Sequence, residues 1–189
     1  MKGINPMLEG KRVILRDRDW EKDFEDRFRW RNEPEIFFWA EPWRKPKSIT
    51  REDMKELWNS AKEHQSDPSV EKLFEIDTKE GIHIGGIRYF DIHPEKHKCE
   101  IGIGIYEKNY WGKGYGTDAM KTLLGYLFRE MKLHRAELNT WSENKRAIRC
   151  YEKCGFKLEG GLRDAVFCIR DGKYYDGLIF GILDREFED

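Results

Sequence analysis

The stretch WGKGYGT at positions 111–117 decides the fold prediction, because its three glycines alternate between a strand pattern and a strong helix pattern. Its residues are Trp111, Gly112, Lys113, Gly114, Tyr115, Gly116 and Thr117. Backbone N–H groups on such a turn lie at the positive end of the helix dipole, where phosphate groups bind. The stretch therefore predicts a loop that binds a diphosphate. A tight turn without a ligand is the alternative interpretation.

The same loop argues against two better-known kinds of nucleotide site. The P-loop pattern G-x-x-x-x-G-K-[ST] does not occur in the sequence. The dinucleotide pattern G-x-G-x-x-G would require glycine at Tyr115 or Thr117. Nucleotide hydrolysis and hydride transfer therefore lose support, although a nucleotide-binding protein remains an alternative.

Helix and strand patterns follow the loop. Thr117 is expected to cap a helix, and strand 135–141, helix 144–154 ended by Gly155 and a strand from Phe156 come after it. The apolar residues of the first helix recur at helical spacing and are Met120, Leu123, Leu124, Leu127, Phe128 and Met131. The predicted order is strand, helix, strand, helix, strand.

The first quarter of the chain is predicted to contain a strand, a highly charged helix and one irregular stretch. A strand is expected at 12–15 and a charged helix at 19–31. The stretch FFWAEPWRKPK at 37–47 is expected to be a loop, and a second helix is expected to begin after the capping residue Thr50.

The rest of the chain is rich in strand patterns. Strands at 72–77, 82–92 and 99–106 predict an antiparallel meander. Strands at 164–170 and 174–183 flank an Asp-Gly pair that favours a hairpin turn. With the helices, these strands predict a single domain, residues 1–189, of the α/β (α+β) class with a mixed sheet.

Two motifs in this sequence resemble those of the GNAT superfamily of N-acetyltransferases. The glycine loop is similar to motif A, [QR]-x-x-G-x-[GA], with Trp111 where Gln or Arg is usual. Residues 144–156, NKRAIRCYEKCGF, are similar to the family segment N-x-x-A-x-x-x-Y-x-K-x-G-F. These motifs and the DGKYYD hairpin most resemble the branch that acetylates ribosomal-protein N termini (alanine) or spermidine. The resemblance implies a GNAT fold, with a mixed sheet of about six to seven strands splayed at the cofactor site and about four helices.

The resemblance also implies acetyl-CoA as the cofactor and assigns its contacts. The cofactor-binding residues implied in this way are Ile103, Gly104, Ile105, Trp111, Gly112, Lys113, Gly114, Tyr115, Gly116, Thr117, Asn144 and Ala147. The strand residues would pair with the pantetheine arm as if it were another strand. The loop would hold the pyrophosphate, with Lys113 near the 3′-phosphate, and Asn144 would hydrogen-bond the arm.

Two residues are implied as catalytic. Tyr151 lies seven residues after Asn144, on the same side of a two-turn helix. A phenol with an ordinary pKa of ~10 can protonate the departing CoA thiolate. Glu100 shares a strand face with two glycines and would act as a base through water. The alternatives are a core tyrosine and a solvated glutamate at the strand edge.

The expected acceptor is a primary amine, with a protein N-terminal α-amine favoured over a small polyamine. An α-amine with a pKa near ~8 is already partly neutral, whereas a polyamine amine near ~10.4 must first lose a proton. Aromatic and acidic residues could form a pocket for a cationic amine, or the aromatics could anchor a loop; they are Glu33, Glu35, Phe37, Phe38, Trp39, Glu41 and Trp43. A non-catalytic acyl-CoA-binding regulatory module is the alternative function.

Composition limits the partners. The 35 Lys and Arg residues nearly cancel the 36 Asp and Glu residues, so no overall field attracts nucleic acid or an anionic membrane. Four cysteines, without a signal-peptide pattern, predict free thiols in the cytoplasm. No metal is expected, because His93, His97 and Cys99 lack a fourth ligand nearby. Strand 174–183 is a candidate for pairing across a homodimer.

Overall fold

The computed structural model describes residues 7–64 and 67–188, and within them one mixed sheet is surrounded by helices. The strands are β1 (Leu8–Glu9), β2 (Val13–Arg16), β3 (Lys72–Thr78), β4 (His83–His93), β5 (Lys98–Ile105), β6 (Arg135–Trp141), β7 (Lys157–Cys168) and β8 (Lys173–Leu183). The helices are α1 (Phe24–Arg31), α2 (Pro34–Ala40), α3 (Arg51–Glu63), α4 (Tyr115–Gly125) and α5 (Lys145–Lys153). The strand order is β1-β2-β3-β4-β5-β6-β8-β7.

The sheet is splayed at its centre. Strands β1 to β5 pair antiparallel in sequence order, whereas β5 and β6 pair in parallel. That parallel pairing covers only Lys98 with Arg135, Cys99 with Ala136, and Glu100 with Glu137. Past Glu100 the two strands separate, and β5 loses its neighbour on this side. The predicted mixed sheet, splayed at its centre, is therefore confirmed.

The described residues contain eight strands and five helices, slightly more than the sequence predicted. The two-residue strand β1 is too short to leave an alternating pattern. Helix α2 occupies the start of the stretch expected to be a loop, so that expectation is wrong for Phe37 to Ala40. Pro34 stands at its first helical position, where proline has the required φ, and Phe38 is buried.

Helix α4 supplies the largest share of the core from any helix. Met120, Leu123 and Leu124 are completely buried, as is Leu127 in the π-helical turn Tyr126–Glu130 that continues the helix. The expected apolar face is confirmed. The Asp118 carboxylate accepts hydrogen bonds from the N–H groups of residues 11, 12 and 13 at 3.1, 2.7 and 3.0 Å, and so fixes β2 to the start of α4.

The start of α4 differs from its prediction. Gly114, with φ +88°, is the residue that caps the helix, and the expectation that Thr117 caps it is wrong. A left-handed glycine turns the chain into the helix three residues earlier than a threonine cap would. The Thr117 hydroxyl is then free to donate to Cys150 Sγ at 3.5 Å.

The C-terminal hairpin is longer than predicted. Its first strand, β7, begins at Lys157, and Gly172 has φ +71° in the turn. Strand β8 pairs with β7 on one side and, from Gly177 to Leu183, with β6 on the other. The suggestion that strand 174–183 pairs across a dimer is therefore wrong, because β7 forms the sheet edge.

A charged cluster joins α1 to the sheet. Glu75 is completely buried and accepts hydrogen bonds from Arg18 at 2.7 Å, from His83 at 3.1 Å and from Arg27. Burial alone would raise the pKa of Glu75, but the His83 hydrogen bond and the charges of Arg27 and Arg18 hold it at about 2. The carboxylate is therefore ionised inside the fold. Among the described residues, no helix is long and apolar enough to cross a membrane.

Candidate functional site

A cleft of about 400 Å³ opens where β5 and β6 separate. It is bounded by the end of β5, the glycine loop, the first turn of α4, one face of α5 and the last residues of α2. Its lining residues are Ile36, Trp39, Ala40, Ile103, Gly104, Ile105, Tyr106, Tyr110, Trp111, Gly112, Gly114, Gly116, Thr117, Asn144, Arg146, Ala147, Arg149, Cys150, Tyr151 and Lys153. The structure therefore brings eleven of the fourteen predicted site residues to one place.

The end of β5 offers one unpaired backbone edge to the cleft. Ile103, Gly104 and Ile105 pair with β4 on one side, opposite Ile87, Gly86 and Gly85. On the other side, pairing with β6 stops at residue 100. An extended chain laid along this edge can form the hydrogen bonds that a strand would form.

The glycine loop leads from this edge into α4. Gly112 and Gly114 have φ values of +72° and +88°, which only glycine adopts readily. The first N–H groups of α4 have no carbonyl partner within the helix and lie at the positive end of its dipole. This part of the cleft can therefore bind an anion.

Two predicted loop residues do not line the cleft. The side chain of Lys113 is exposed, and its carbonyl accepts a hydrogen bond from Arg12 at 3.5 Å. The ring of Tyr115 packs edge-on against Tyr110, with ring centroids 5.0 Å apart. Any part that Tyr115 plays in the cleft is therefore through its backbone, whereas the exposed Lys113 side chain is available to a group outside the cleft lining.

Helix α5 forms the opposite wall and begins as predicted. The Asn144 side chain caps it by accepting a hydrogen bond from the N–H of Ala147 at 3.4 Å. Gly155, with φ +92°, follows its last turn. Asn144, Ala147, Cys150 and Tyr151 all face the cleft.

Tyr151 is buried where α5 meets the sheet. Its side chain is 7% exposed, and its ring packs against Phe156 and Phe180 with centroids 6.1 and 5.8 Å apart. Its hydroxyl has no hydrogen-bond partner among the residues that the structure describes. Burial raises the pKa of the phenol above its ordinary value, and the neighbouring Cys150 and Cys154 thiols act in the same direction. The phenol is therefore protonated at neutral pH and can donate.

Glu100 lies outside the cleft lining. It is half-buried, at the last residue pair shared by β5 and β6, opposite Glu137. Its neighbours Cys99 and Ile101 point into the core, so by alternation Glu100 lies on the other face of the sheet. Any action on the cleft from this position passes through an intervening group such as water.

Three cations of α5 reach the cleft, and sequence reasoning missed them. Arg146, Arg149 and Lys153 lie at i, i+3 and i+7, which places them on one helical face. That spacing was visible in the sequence. Among the described lining residues there is no carboxylate, so this wall is cationic.

The acidic residues that the sequence suggested for an amine pocket form ion pairs with basic residues of the same chain. Glu33 and Glu35 form ion pairs with Lys108 at 3.0 and 3.2 Å, and Glu41 pairs with Arg44 at 2.7 Å. The aromatics divide between two roles. Trp39 lines the cleft, and the buried residues Phe38, Trp141 and Cys168 form a small core beneath it.

Cys150 is a cleft thiol that sequence reasoning predicted to be free but did not place in the site. Its hydrogen bond with Cys154, helped by the one from Thr117, lowers its pKa to about 7 against the opposing effect of burial. Cys154 is 2% exposed and belongs to the core. Among residues 7–64 and 67–188, no three His, Cys, Asp or Glu side chains are grouped to hold a metal.

Comparison with known proteins agrees with this geometry. Residues 12–157 match the family model described as Acetyltransferase (GNAT) domain. The chain belongs to the GNAT acetyltransferase family. It is 30% identical over 136 residues to spermidine N(1)-acetyltransferase from Vibrio cholerae, which covers 72% of this chain and 75% of that protein. It is 31% identical over 109 residues to the putative ribosomal N-acetyltransferase YdaF from Bacillus subtilis, 58% of each chain.

A solved structure extends the similarity to the whole fold. The spermidine N-acetyltransferase from Vibrio cholerae in complex with CoA and spermine is 25% identical, with a TM-score of 0.75. The match covers 92% of this chain and 96% of that one. The resemblance drawn from the two motifs is thus confirmed, and the chain is an acetyl-CoA-dependent acetyltransferase. The unpaired strand edge, the glycine loop and the cationic wall all fit this cofactor.

Proposed function

We propose that the whole chain, residues 1–189, acts as one domain that acetylates a primary amine, with a protein N-terminal α-amine as the favoured acceptor. The observation that carries the proposal is Tyr151, which lines the cleft and whose hydroxyl has no hydrogen-bond partner among the described residues. A phenol in this position can supply the one proton that the leaving group needs.

The cofactor contacts follow from the lining of the cleft. The backbone of Ile103 to Ile105 would pair with the pantetheine arm, and Asn144 and Ala147 would contact it from α5. The loop from Gly112 to Thr117 would bind the pyrophosphate through its N–H groups. Arg149 and the side chain of Lys113 are suited to the 3′-phosphate, because both are exposed.

The chemistry assigned to the chain is two proton movements. Acetyl-CoA, when bound, would supply an acetyl thioester. The amine nitrogen would bond to its acetyl carbon, and the C–S bond to CoA would break. Tyr151 donates its proton to the departing sulfur, since its raised pKa keeps it protonated until then. Glu100 would take the proton of the amine through water, from a position outside the cleft lining. The product is an acetamide and free CoA.

An α-amine is favoured by the charges at the cleft. Cations and no described carboxylate line it, which disfavours an acceptor with several ammonium groups. A remote base also suits an amine with a pKa near ~8, because deprotonating one near ~10.4 costs roughly 4 kcal/mol at about pH 7.5.

A small polyamine is the second candidate. It is supported by the similarity to the Vibrio cholerae spermidine N(1)-acetyltransferase and to the structure of that enzyme type with CoA and spermine. The half-buried acidic residues of α2 and its flanks would have to exchange their present lysine and arginine partners for the polyamine.

The test is CoA release from acetyl-CoA with a panel of acceptors at pH 7.5. The panel contains short peptides with free N termini, the same peptides with blocked N termini, and spermidine. Faster release with free peptides than with spermidine supports the proposal, and the reverse result supports the polyamine. Binding of acetyl-CoA without release for any amine would instead indicate the regulatory module.

We also propose that the protein works in the cytoplasm as a homodimer. All four cysteines are free thiols, which suits a reducing compartment. The edge strand β7 exposes Leu158, Leu162 and Phe167, at 58%, 57% and 38%, a surface that a second copy would cover. Sedimentation velocity of the chain, compared with a Leu162→Lys variant, tests the dimer.

A further inference from the structure

Arg146 occupies a special position in the cleft, at the seam between α5 and α2. Its guanidinium carbon lies 3.6 Å from the centroid of the Trp111 ring and 5.3 Å from that of the Trp39 ring. Stacking on Trp111 fixes the plane of the guanidinium. The edge of that plane, with its N–H donors, remains available to a molecule in the cleft.

The guanidinium has no acid partner. Among the described residues no hydrogen bond or ion pair involves the Arg146 guanidinium, although five N–H donors are available. Burial lowers the pKa of Arg146, the nearby charge of Arg149 lowers it further, and Glu35 opposes both. Arg149 and Lys153, by contrast, are exposed to solvent.

Two indole N–H groups near this seam also lack acceptors. Nε1 of Trp39 and Nε1 of Trp141 are buried without a hydrogen-bond partner among the described residues. Their rings lie 5.7 Å apart, and Trp141 is 5% exposed overall. Buried donors are nearly always paired, so two unpaired indole N–H groups close to an unpaired, half-buried guanidinium leave this seam with more donors than acceptors.

We propose that Arg146 binds a carbonyl or carboxylate oxygen of the acceptor molecule, at the seam where Trp39 lines the cleft. This inference rests on the proposed function and narrows its substrate class. It selects amines that carry an oxygen acceptor close to the reacting nitrogen, as a peptide N terminus does. It disfavours polyamines, because a desolvated guanidinium repels their ammonium groups.

The cofactor phosphates are the competing ligand for Arg146. The glycine loop and the exposed Arg149 and Lys153 already offer N–H groups and charge to those phosphates. Arg146 lies between the Trp111 ring, 3.6 Å away at the start of the glycine loop, and the Trp39 ring, 5.3 Å away on α2, so it also borders the part of the cleft that α2 forms. The acceptor side is therefore the better assignment.

The experiment compares Arg146→Gln with Arg149→Gln, two cleft arginines on one helix. Steady-state constants are measured for a free-N-terminus peptide and for spermidine, and acetyl-CoA affinity is measured by calorimetry. Arg146→Gln is expected to raise KM for the peptide about 10- to 100-fold and to leave acetyl-CoA affinity within about two-fold. Arg149→Gln is expected to do the opposite. Arg146→Lys should restore the peptide KM only in part, since ammonium lacks the planar donors.

Two results would overturn the inference. One is a loss of acetyl-CoA affinity in Arg146→Gln with an unchanged peptide KM. The other is an equal change in KM for peptide and spermidine, which would indicate a general packing effect. Failure of the proposed function would look different, because the wild-type protein would then bind acetyl-CoA and acetylate no peptide.

Discussion

The indole Nε1 of Trp111 donates a hydrogen bond of 2.6 Å to the carbonyl oxygen of Ile105. This bond ties the first residue of the glycine loop to the last residue of β5. Trp111 occupies the motif position where Gln or Arg is usual, and like them it carries an N–H donor. The loop is thus held against the strand edge by a side chain that the motif comparison marked as a departure.

Trp111→Phe removes this bond while keeping an aromatic ring under Arg146. Losing one hydrogen bond of about 1 kcal/mol should weaken acetyl-CoA binding about five-fold, because the loop is less well fixed. Isothermal calorimetry measures the change. Trp43→Phe, at an exposed tryptophan outside the cleft, is the control and should leave affinity unchanged. Equal affinities in the two variants would contradict the prediction.

Gly114→Ala and Gly116→Ala should differ, although the two glycines are two residues apart. Gly114 has φ +88°, which costs alanine roughly 1 kcal/mol or more, and it caps α4. A Cβ on Gly116 would meet only Cys150 Sγ and Ile105 Cγ1, both at an ordinary 3.6 Å. Thermal unfolding and acetyl-CoA titration should therefore show a clear loss in Gly114→Ala alone. Similar losses in both variants would count against this account of the loop.

Tyr151→Phe tests the proton donor. Removing the hydroxyl should lower kcat about 10²- to 10³-fold, the usual contribution of a general acid. Acetyl-CoA affinity should change little, because the ring contacts with Phe156 and Phe180 remain. The exposed Tyr174→Phe serves as the control.

The pH profile gives a second measure of the same residue. Burial raises the pKa of Tyr151, so the proton stays on the phenol well above neutral pH. Wild-type kcat should therefore show no loss from this group up to about pH 10, the ordinary tyrosine pKa. A fall in kcat near pH 8 that is absent from Tyr151→Phe would refute the assignment.

Cys150 should react with alkylating agents from inside the cleft. Its thiolate forms as the pH rises through about 7, since hydrogen bonds from Cys154 and Thr117 stabilise the anion. Iodoacetamide labelling, followed by mass spectrometry, should accelerate between pH 6 and pH 8. Acetyl-CoA should slow it, because the thiol lines the cofactor cleft. Labelling of Cys150 that ignores the cofactor would contradict this placement.

Glu75→Gln should destabilise the fold by about 3 kcal/mol at pH 7, because Arg18 and Arg27 lose a buried partner. The wild-type contribution is full above about pH 4.5 and is lost as the pH falls toward 2, since the folded pKa is about 2 and the unfolded pKa about 4.3. Urea unfolding at pH 7 and pH 3 measures both effects. Glu25→Gln, in an exposed ion pair with Arg51, should change little.

Local patterns predicted the elements that carry the cofactor site. The apolar face of α4 and the Asn144 cap of α5 depend on residues three to eight positions apart, so the sequence displays them directly. Glycines in the loop likewise indicate positions where the backbone can adopt a positive φ, as Gly112 and Gly114 do. For these elements, the structure agrees with the prediction from sequence.

Long-range contacts account for what sequence reasoning missed. The Glu75 cluster joins residues 48 and 57 positions away, which no short pattern encodes. Helix α2 is stabilised by Phe38 packing on Trp141, a contact across most of the chain. The seam of Arg146, Trp39 and Trp111 was not predicted either, because it depends on where α2 packs. Arg146 lies on helix α5, which the sequence predicted, and Trp111 lies on the predicted glycine loop. Trp39 lies on helix α2, part of which was expected to be a loop.

The brief pairing of β5 with β6 has a mechanical consequence. Among the described residues, three residue pairs form the backbone pairing between the five strands β1 to β5 and the three strands β6 to β8. Backbone pairing across the sheet therefore ends at Glu100. A molecule bound across the gap would join the two groups of strands. Force applied across the sheet should therefore open the cleft before it separates strands within either group.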